Sequence, residues 1–389
     1  MAGGVSAGVA AMAGRRVAYL SVDPGVPVFG SKGASVHVQE IVRSWRNRGA
    51  EVTIYCTRSG TDVPPDLADV PVVVHPIKAA TGGNRERAQV RAAESLAAQV
   101  IRDGADAVYE RYSLFSDALQ RVTEALRIPG FLEVNAPLID EQRKYREIHD
   151  EEAALDCLRG QVRAASTVAC VSAPVRDWVL DRTGPGARHV IVTPNGVNGH
   201  RIRPSPETAG RPVVVFVGTL KPWHGVRTLL EAQAAASRAW ALKIVGDGPE
   251  GPALRALAAD LELDVEFTGA VPPDDIPAAL AGCAIGVAPY PALDDDAEHY
   301  FSPLKIYEYC AAGLPVVASR VGQVPGIIEH GVTGLLVDPS NAGRLAGAID
   351  SLVEAPDTRA AMSAAARRVV LERHSWDSVL ARITEGAAL

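Results

Sequence analysis

The sequence predicts an α/β protein made of two doubly wound domains. Three observations point there. Short β-branched runs alternate with helical patterns almost from end to end. Most of those runs are continuously apolar, as strands covered on both faces of a parallel sheet must be. The chain has 389 residues, 47% of them hydrophobic, more than one core organises, so two domains of similar size are expected.

Taken in order, strands are predicted at 16–23, 51–57, 71–77, 106–111, 130–135, 166–172 and 189–193. After a break they resume at 212–218, 241–246, 265–269, 285–289, 315–319 and 334–337. Most intervening segments are long enough for one helix each. The hinge is placed at 194–198, Pro-Asn-Gly-Val-Asn, because Asn-Gly supplies the positive φ of a tight turn and a Pro-rich stretch follows. The first domain is drawn over 1–198 and the second over 199–374, with a last helix, 375–389, after His374-Ser375-Trp376.

Charge and cysteines narrow the setting. The formal net charge of −7 gives no reason to expect nucleic acid as a partner. Residues 1–198 hold 23 Lys+Arg against 23 Asp+Glu, which leaves 16 against 23 in the remainder. The basic stretch Arg43, Arg46, Arg48 reads as a solvated helix face, with a weak attractor for an anionic acceptor or membrane as the alternative. Five cysteines, an odd number without metal-type spacing, sit in apolar patterns as buried thiols do and fit a reducing cytoplasm. The opening MAGGVSAGVAAMAG has its arginines after the apolar stretch, the wrong polarity for a secretory signal. No apolar run is long enough to span a bilayer, so stable membrane insertion is not expected. A homodimer is compatible with the composition.

Residues 298–339 carry the most chemistry. Ser302 and Pro303 open a helix with Lys305 and Glu308 in its first two turns; the helix stops at Gly313 and a strand follows. Free N–H groups at a helix start, with a lysine beside them, form an anion site. A glutamate one turn on can accept two vicinal hydroxyls, as a ribose offers. The pairing suits a sugar nucleotide; an ordinary capped helix with surface charges is the alternative that the residues alone leave open. Gly30 and Gly33 bracket Ser31 and Lys32 at the entry to a helix running to about Arg48, where a backbone can approach a ligand closely or simply form a loop. The Gly-x-Gly-x-x-Gly spacing of a dinucleotide fingerprint is missing, which disfavours a nicotinamide dehydrogenase. Glycine turns recur after later strands, in 217–225 and 245–249. Tyr109-Glu110-Arg111-Tyr112 and Glu133-Val134-Asn135 stand at the carboxyl ends of strands, which line the crevice in such sheets. Glu110 with Arg111 reads equally as a structural ion pair.

These residues resemble the nucleotide-sugar motif of the retaining glycosyltransferases of family 4, whose GT-B fold has two Rossmann-like domains facing across a cleft. That motif has two glutamates with seven residues between them, an Ala-x-Gly-x-Pro-Val-Val run and a Gly-x-x-Gly-Leu-Leu-Val run. Here Glu308 is the second glutamate, 312–317 and 331–337 match, and Tyr300 stands in the first glutamate's place. Ser302-Pro303-Leu304-Lys305 is similar to one sub-group of the family. Pro-Asn-Gly-Val before the second domain is shared, and the last helix is expected to cross back to the first domain. The family's arginine and lysine that grip the diphosphate are replaced by Thr219 and His224, and its first-domain histidine by Arg111.

The resemblance implies an acceptor-binding first domain and a nucleotide-sugar-binding second one. Lys221, Lys305, Glu308 and Arg111 are the expected catalytic residues, the two lysines supplying the charge that Thr219 and His224 do not. The donor is expected on Gly30, Gly33, Gly218, Thr219, His224, Gly246, Gly248, Val271 and the run Tyr300, Phe301, Ser302, Pro303, Leu304. His224 is expected to be partly protonated beside a diphosphate. Lys32, Glu110, Glu133 and Asn135 are expected on the acceptor, and no metal ligands or cofactor are called for. The implied activity is retaining, metal-independent transfer of a hexose-type sugar from a nucleoside diphosphate, UDP before GDP. The acceptor is a hydroxyl or thiol of a soluble molecule, for example an aminocyclitol-type natural product. A cell-envelope polysaccharide or glycolipid acceptor, a nucleotide-sugar 2-epimerase, and a non-catalytic nucleotide-sugar-binding partner are the competing readings. The Ser-Pro-Leu-Lys signature argues against the epimerase; the missing glutamate, arginine and lysine favour the partner.

Overall fold

The computed structural model describes residues 12–77, 81–184, 189–294 and 299–387; the opening residues 1–11, the last two residues of the expected final helix, and Glu298 lie outside them. The chain divides into two compact units, residues 1–195 with 376–389, and residues 196–375.

In the first unit β1 (Arg16–Ser21), α1 (Gly33–Asn47), β2 (Glu51–Cys56), β3 (Val72–Val74), α2 (Gly82–Asp103), β4 (Ala107–Arg111) and α3 (Ala118–Leu126) follow one another. They continue with β5 (Gly130–Val134), α4 (Leu138–Tyr145), α5 (Glu151–Ala164), β6 (Thr167–Cys170), α6 (Ala173–Thr183) and β7 (Val190–Val192). All strand pairs are parallel, in the order β3-β2-β1-β4-β5-β6-β7. The direction of winding reverses between β1 and β4, so the loops after these two strands part at their carboxyl ends and leave a crevice.

The second unit repeats the plan. It runs through β8 (Val213–Val217), α7 (Val226–Ala234), β9 (Ala241–Val245), α8 (Gly251–Asp260), β10 (Val265–Gly269), α9 (Ile276–Leu280) and β11 (Ile285–Ala288). Then come α10 (Leu304–Ala311), β12 (Val316–Ser319), α11 (Val324–Ile327), β13 (Gly334–Val337), α12 (Ala342–Val353) and α13 (Pro356–His374). The sheet order β10-β9-β8-β11-β12-β13, again parallel, puts its switch point between β8 and β11. α14 (Trp376–Thr384) belongs to the first unit and packs on α1.

The strands lie where the apolar runs place them, shorter mainly at their carboxyl ends: β3 stops at Val74, although the run extends to 77. The central strands are buried throughout, as in β5 (Gly-Phe-Leu-Glu-Val) and β12 (Val-Val-Ala-Ser). Each fully buried Val, Leu, Ile or Phe contributes about 1.5–3 kcal/mol. Helix starts are fixed locally where a side chain accepts an N–H of the first turn: Asp150 from Ala153, Ser172 from Val175 and Asn341 from Arg344. Among the described residues no helix is long and apolar enough to cross a membrane.

Candidate functional site

At the switch point of the second unit, three successive strand ends are glycine. Gly218 leaves β8 with φ +149°, and Gly246 leaves β9 with φ +141°. A Cβ on Gly246 would stand 2.0 Å from the carbonyl oxygen of Gly218, and one on Gly248 would stand 2.5 Å from that of Leu220. Backbone therefore lies directly on backbone: Gly218 donates to Val245 O at 2.9 Å, Leu220 to Asp247 O at 3.0 Å and Gly246 to Gly269 O at 2.8 Å. The result is a wall without side chains, open to close approach by a ligand.

α10 faces this wall, and a tyrosine sets its height. Tyr309 is fully buried; its hydroxyl accepts the N–H of Val217 at 2.7 Å and reaches Val287 O at 3.4 Å. The absence of a side chain on Gly286 admits the Tyr309 ring, since a Cβ there would meet its Cγ at 2.5 Å. Helix, β8 and β11 are thus locked in register. Lys305, one turn before Tyr309, is carried to the end of β8, where a Cβ on Gly218 would stand 2.9 Å from its Nζ. That ammonium lies 4.1 Å from the centre of the Phe216 ring and 5.3 Å from that of Tyr290. It is buried without a hydrogen-bond acceptor among the described residues. Burial pushes its pKa down to about 7, against the opposing pull of Glu308. Glu308, one turn on, is half-buried. The helix starts at Leu304 with no side-chain cap on its first-turn N–H groups.

The neighbours differ in part from what the sequence suggests. The Nδ1 of His224 contacts the carbonyl of the exposed Thr219. Burial, then the charge of Lys305, pushes its pKa down to about 3, with Lys221 adding a little and the Thr219 contact opposing. In the free protein these effects favour the neutral imidazole; the expected partial protonation concerns a bound diphosphate. Lys221 holds its ammonium 4.5 Å over the ring of Trp223, which is 46% exposed. The Phe301 ring lies 4.9 Å from that of Tyr290. The Ser302 hydroxyl is buried against the Tyr307 hydroxyl at 3.1 Å. Pro303 precedes the first turn as its cap residue, Tyr300 is half-buried, and Val271 packs its side chain on the core, leaving its backbone.

In the first unit the loop from Pro27 to Gly33 is fastened to α1. Gln39 donates to Val28 O and Gly30 O at 3.0 and 3.2 Å, and Ser35 to Pro27 O at 2.6 Å. A Cβ on Gly30 would crowd Pro27 at 2.9 Å. Ser31, Lys32 and Gly33 are exposed at the helix entry.

Glu110 is a correction. It is fully buried and points toward α3, accepting from Ser116 Oγ at 2.5 Å and from the N–H of Leu119 at 2.7 Å. Burial raises its pKa to about 7. It is turned to these partners and does not pair with Arg111, because adjacent strand residues point to opposite faces. Arg111 instead lies 3.6 Å from Glu133. The Glu133 carboxylate also receives Asn135 Nδ2 at 2.5 Å, Tyr109 OH at 2.7 Å and, on the Arg111 side, Nε2 of His37 from α1. Burial alone would raise its pKa, but His37, Arg111 and Asn135 outweigh that and hold it down at about 2. Glu133 is thus the hub of a buried polar cluster that presents Arg111 and Asn135. His37 went unnoticed in the sequence; its one signal is a histidine on the apolar face of a helix.

A cavity of about 530 Å³ opens at the β1/β4 switch point of this unit. Asp23 and Phe115 line it from the strand ends, Arg85 and Gln89 from α2, Glu141 and Tyr145 from α4. Gln89 is 8% exposed. Arg85, Gln89 and Phe115 were not singled out from sequence. Among the described residues no three His, Cys, Asp or Glu side chains gather as a metal site requires.

Both halves of the chain are similar to known proteins. Residues 31–201 match the family model described as Glycosyltransferase Family 4, and residues 211–355 the one described as Glycosyl transferases group 1. A GDP-mannose-dependent alpha-(1-6)-phosphatidylinositol monomannoside mannosyltransferase of Mycobacterium tuberculosis is 33% identical over 56% of this chain and 60% of that protein. The chain thus spans about 60% of the length of that curated relative. A D-inositol 3-phosphate glycosyltransferase of Thermobispora bispora is 26% identical over 95% of this chain and 94% of that one. The crystal structure of Anabaena Alr3699/HepE in complex with UDP superposes with a TM-score of 0.70 at 21% identity, covering 95% of this chain and 98% of that one. The chain is thus a GT-B protein, each half of which matches a glycosyltransferase domain.

Proposed function

We propose that this chain is a retaining glycosyltransferase of the cytoplasm that moves a hexose-type sugar, without a metal ion, from a nucleoside diphosphate to a hydroxyl of a small polyol. One observation carries the reading: the buried, unpartnered ammonium of Lys305, facing the bare backbone at Gly218. A buried ammonium with no hydrogen-bond acceptor is costly, and a pyrophosphate is a ligand that would compensate it. Lys221 and the first-turn N–H groups of α10 add to that charge, and Glu308 takes the ribose hydroxyls. As the sugar–phosphate C–O bond breaks, the diphosphate leaves with the electron pair. The acceptor oxygen bonds to the anomeric carbon on the same face and passes its proton to a phosphate oxygen. Losing one preorganised donor to the leaving group costs about 3 kcal/mol of barrier.

The first-unit cavity suits the acceptor, since its charged and amide side chains match hydroxyl groups and Phe115 and Tyr145 offer ring faces. A phosphoinositide-type acceptor is the second reading, favoured by the name of the 33% identical mycobacterial relative. Thermal shift with UDP, GDP and ADP tests the nucleotide site first; a nucleotide at 100 times its Kd should add about 2.7 kcal/mol. Incubation with UDP-glucose and GDP-mannose, followed by NMR of the anomeric product, then separates the readings. Transfer or slow hydrolysis with an axial anomer supports the proposal. Inversion at C2 points to an epimerase, and binding without turnover to a non-catalytic partner.

A further inference from the structure

We propose that His37 is a positioning residue for the transfer: by holding Glu133, it keeps Arg111 free to meet substrate. The inference rests on the reading above but concerns a different unit of the chain. His37 is 5% exposed, and Trp376 of α14 fixes its ring edge-on at 4.6 Å. Its Nε2 lies against Oε1 of Glu133, the oxygen to which Asn135 also donates. Arg111 reaches that same oxygen only at 3.6 Å, beyond hydrogen-bond range, and its Nη1 has no acceptor among the described residues.

A guanidinium beside a carboxylate ordinarily closes on it as a two-point fork. Here it does not: His37 crowds the one carboxylate oxygen to which Asn135 donates, and Tyr109 donates to the other. Tyr19 from β1, stacked on Tyr109 at 5.4 Å, and Trp376 complete the surroundings and bring no further charge. His37 therefore competes with Arg111 for Glu133. Without it, Arg111 turns inward and is lost to substrate.

Crystal structures and kinetics of His37→Phe and His37→Gln test this. Phe keeps the ring against Trp376 and removes the donor; Gln restores a donor. His37→Leu is a second apolar variant that must behave as Phe does. In the apolar variants Arg111 should close on Glu133 as a two-point pair. Turnover of UDP-glucose or GDP-mannose should fall about 100-fold, the cost of roughly 1 Å of misplacement. KM for the donor should stay within about twofold, and Gln should recover roughly tenfold of the lost turnover. Arg111 staying in place in the apolar variants, or Gln doing no better than Phe, overturns the proposal. If neither UDP nor GDP shifts the melting temperature of the wild type, the functional reading fails instead; the position of Arg111 in the variant crystals still decides this one.

Discussion

Replacing Lys305 by methionine should move stability and ligand binding in opposite directions. The ammonium is carried into the fold against two ring faces, and its pKa falls from the usual 10.5 to about 7 through burial. At ~1.36 kcal/mol per pH unit, that drop sets a ceiling of about 5 kcal/mol on the cost of the buried charge. Relaxation and water penetration bring the expected cost to about 1–3 kcal/mol. The sign follows from linkage. Because the folded pKa lies below the unfolded one, the stability associated with the neutral amine is fully present above 10.5. It falls as the pH drops from 10.5 to about 7, and below that no more is lost. Lys305→Met lacks this dependence, so its advantage over the wild type should be largest near pH 6 and narrow toward pH 10. Urea midpoints at the two pH values read it.

Binding should respond the other way. A diphosphate supplies the missing counter-charge, so Lys305→Met should weaken UDP or GDP by about 100-fold, the equivalent of ~3 kcal/mol. The wild type should also take up a proton when the nucleotide binds at pH 8, because the dianion raises the pKa of Lys305. Isothermal titration in two buffers of different ionisation enthalpy measures that uptake, and the variant should show none. A stability gap that is flat between pH 6 and 10, or a variant that binds UDP and GDP as the wild type does, refutes the reasoning.

Glu308→Gln should erase the preference for UDP over dUDP, a loss of about 1.5–3 kcal/mol visible by calorimetry. Gly218→Ala, forced to φ +149° with its Cβ 2.9 Å from Nζ of Lys305, should weaken UDP or GDP by more than about tenfold while the fold survives. For Glu110, whose folded pKa is raised to about 7, stability is present at low pH and lost as pH rises through 7, so Glu110→Gln should gain on the wild type between pH 5 and 8. Its turnover should be unchanged; an acceptor ligand would lose turnover instead. Glu133→Gln leaves His37 and Arg111 without their carboxylate and should cost about 3–5 kcal/mol at pH 7 by urea unfolding. Because the folded pKa of Glu133 is about 2, that gap should close only as pH falls from about 4.5 toward 2.

The two units were legible for different reasons. Buried parallel strands announce themselves as unbroken apolar runs, so the order of elements could be read directly, and strand ends were overrun where the run continues into a loop, as after Val74. The parts of the proposed nucleotide site could be picked out in the sequence because they are local: Lys305, Glu308 and Gly313 share one helix and its end. The first-unit cluster was not. β4 is buried on both faces, so its sequence does not reveal which residue faces which helix, and Glu110 looked as available as Arg111. The partner of Glu133 that matters most, His37, is 96 positions away on another element, and no spacing rule links them. Tyr309, which sets the height of Lys305, reads in sequence as one more apolar core residue.

The departures from the family pattern also become coherent once the burial of Lys305 is considered. The pattern calls for an arginine and a lysine where this chain has Thr219 and His224. Each extra cation near Lys305 would raise the cost of its buried charge, just as Lys305, after burial, helps to push the His224 pKa down. With Thr219 neutral and exposed, and His224 tied through Nδ1 to the Thr219 carbonyl, only Lys221 remains, and its ammonium rests on the exposed face of Trp223. In the proposed site the charge for a diphosphate is then concentrated on a single buried lysine rather than spread over an exposed set. A buried cation is less screened by salt and by water. One such group, aimed at bare glycine backbone, can match several exposed ones, and it makes the site's charge depend on pH near neutrality.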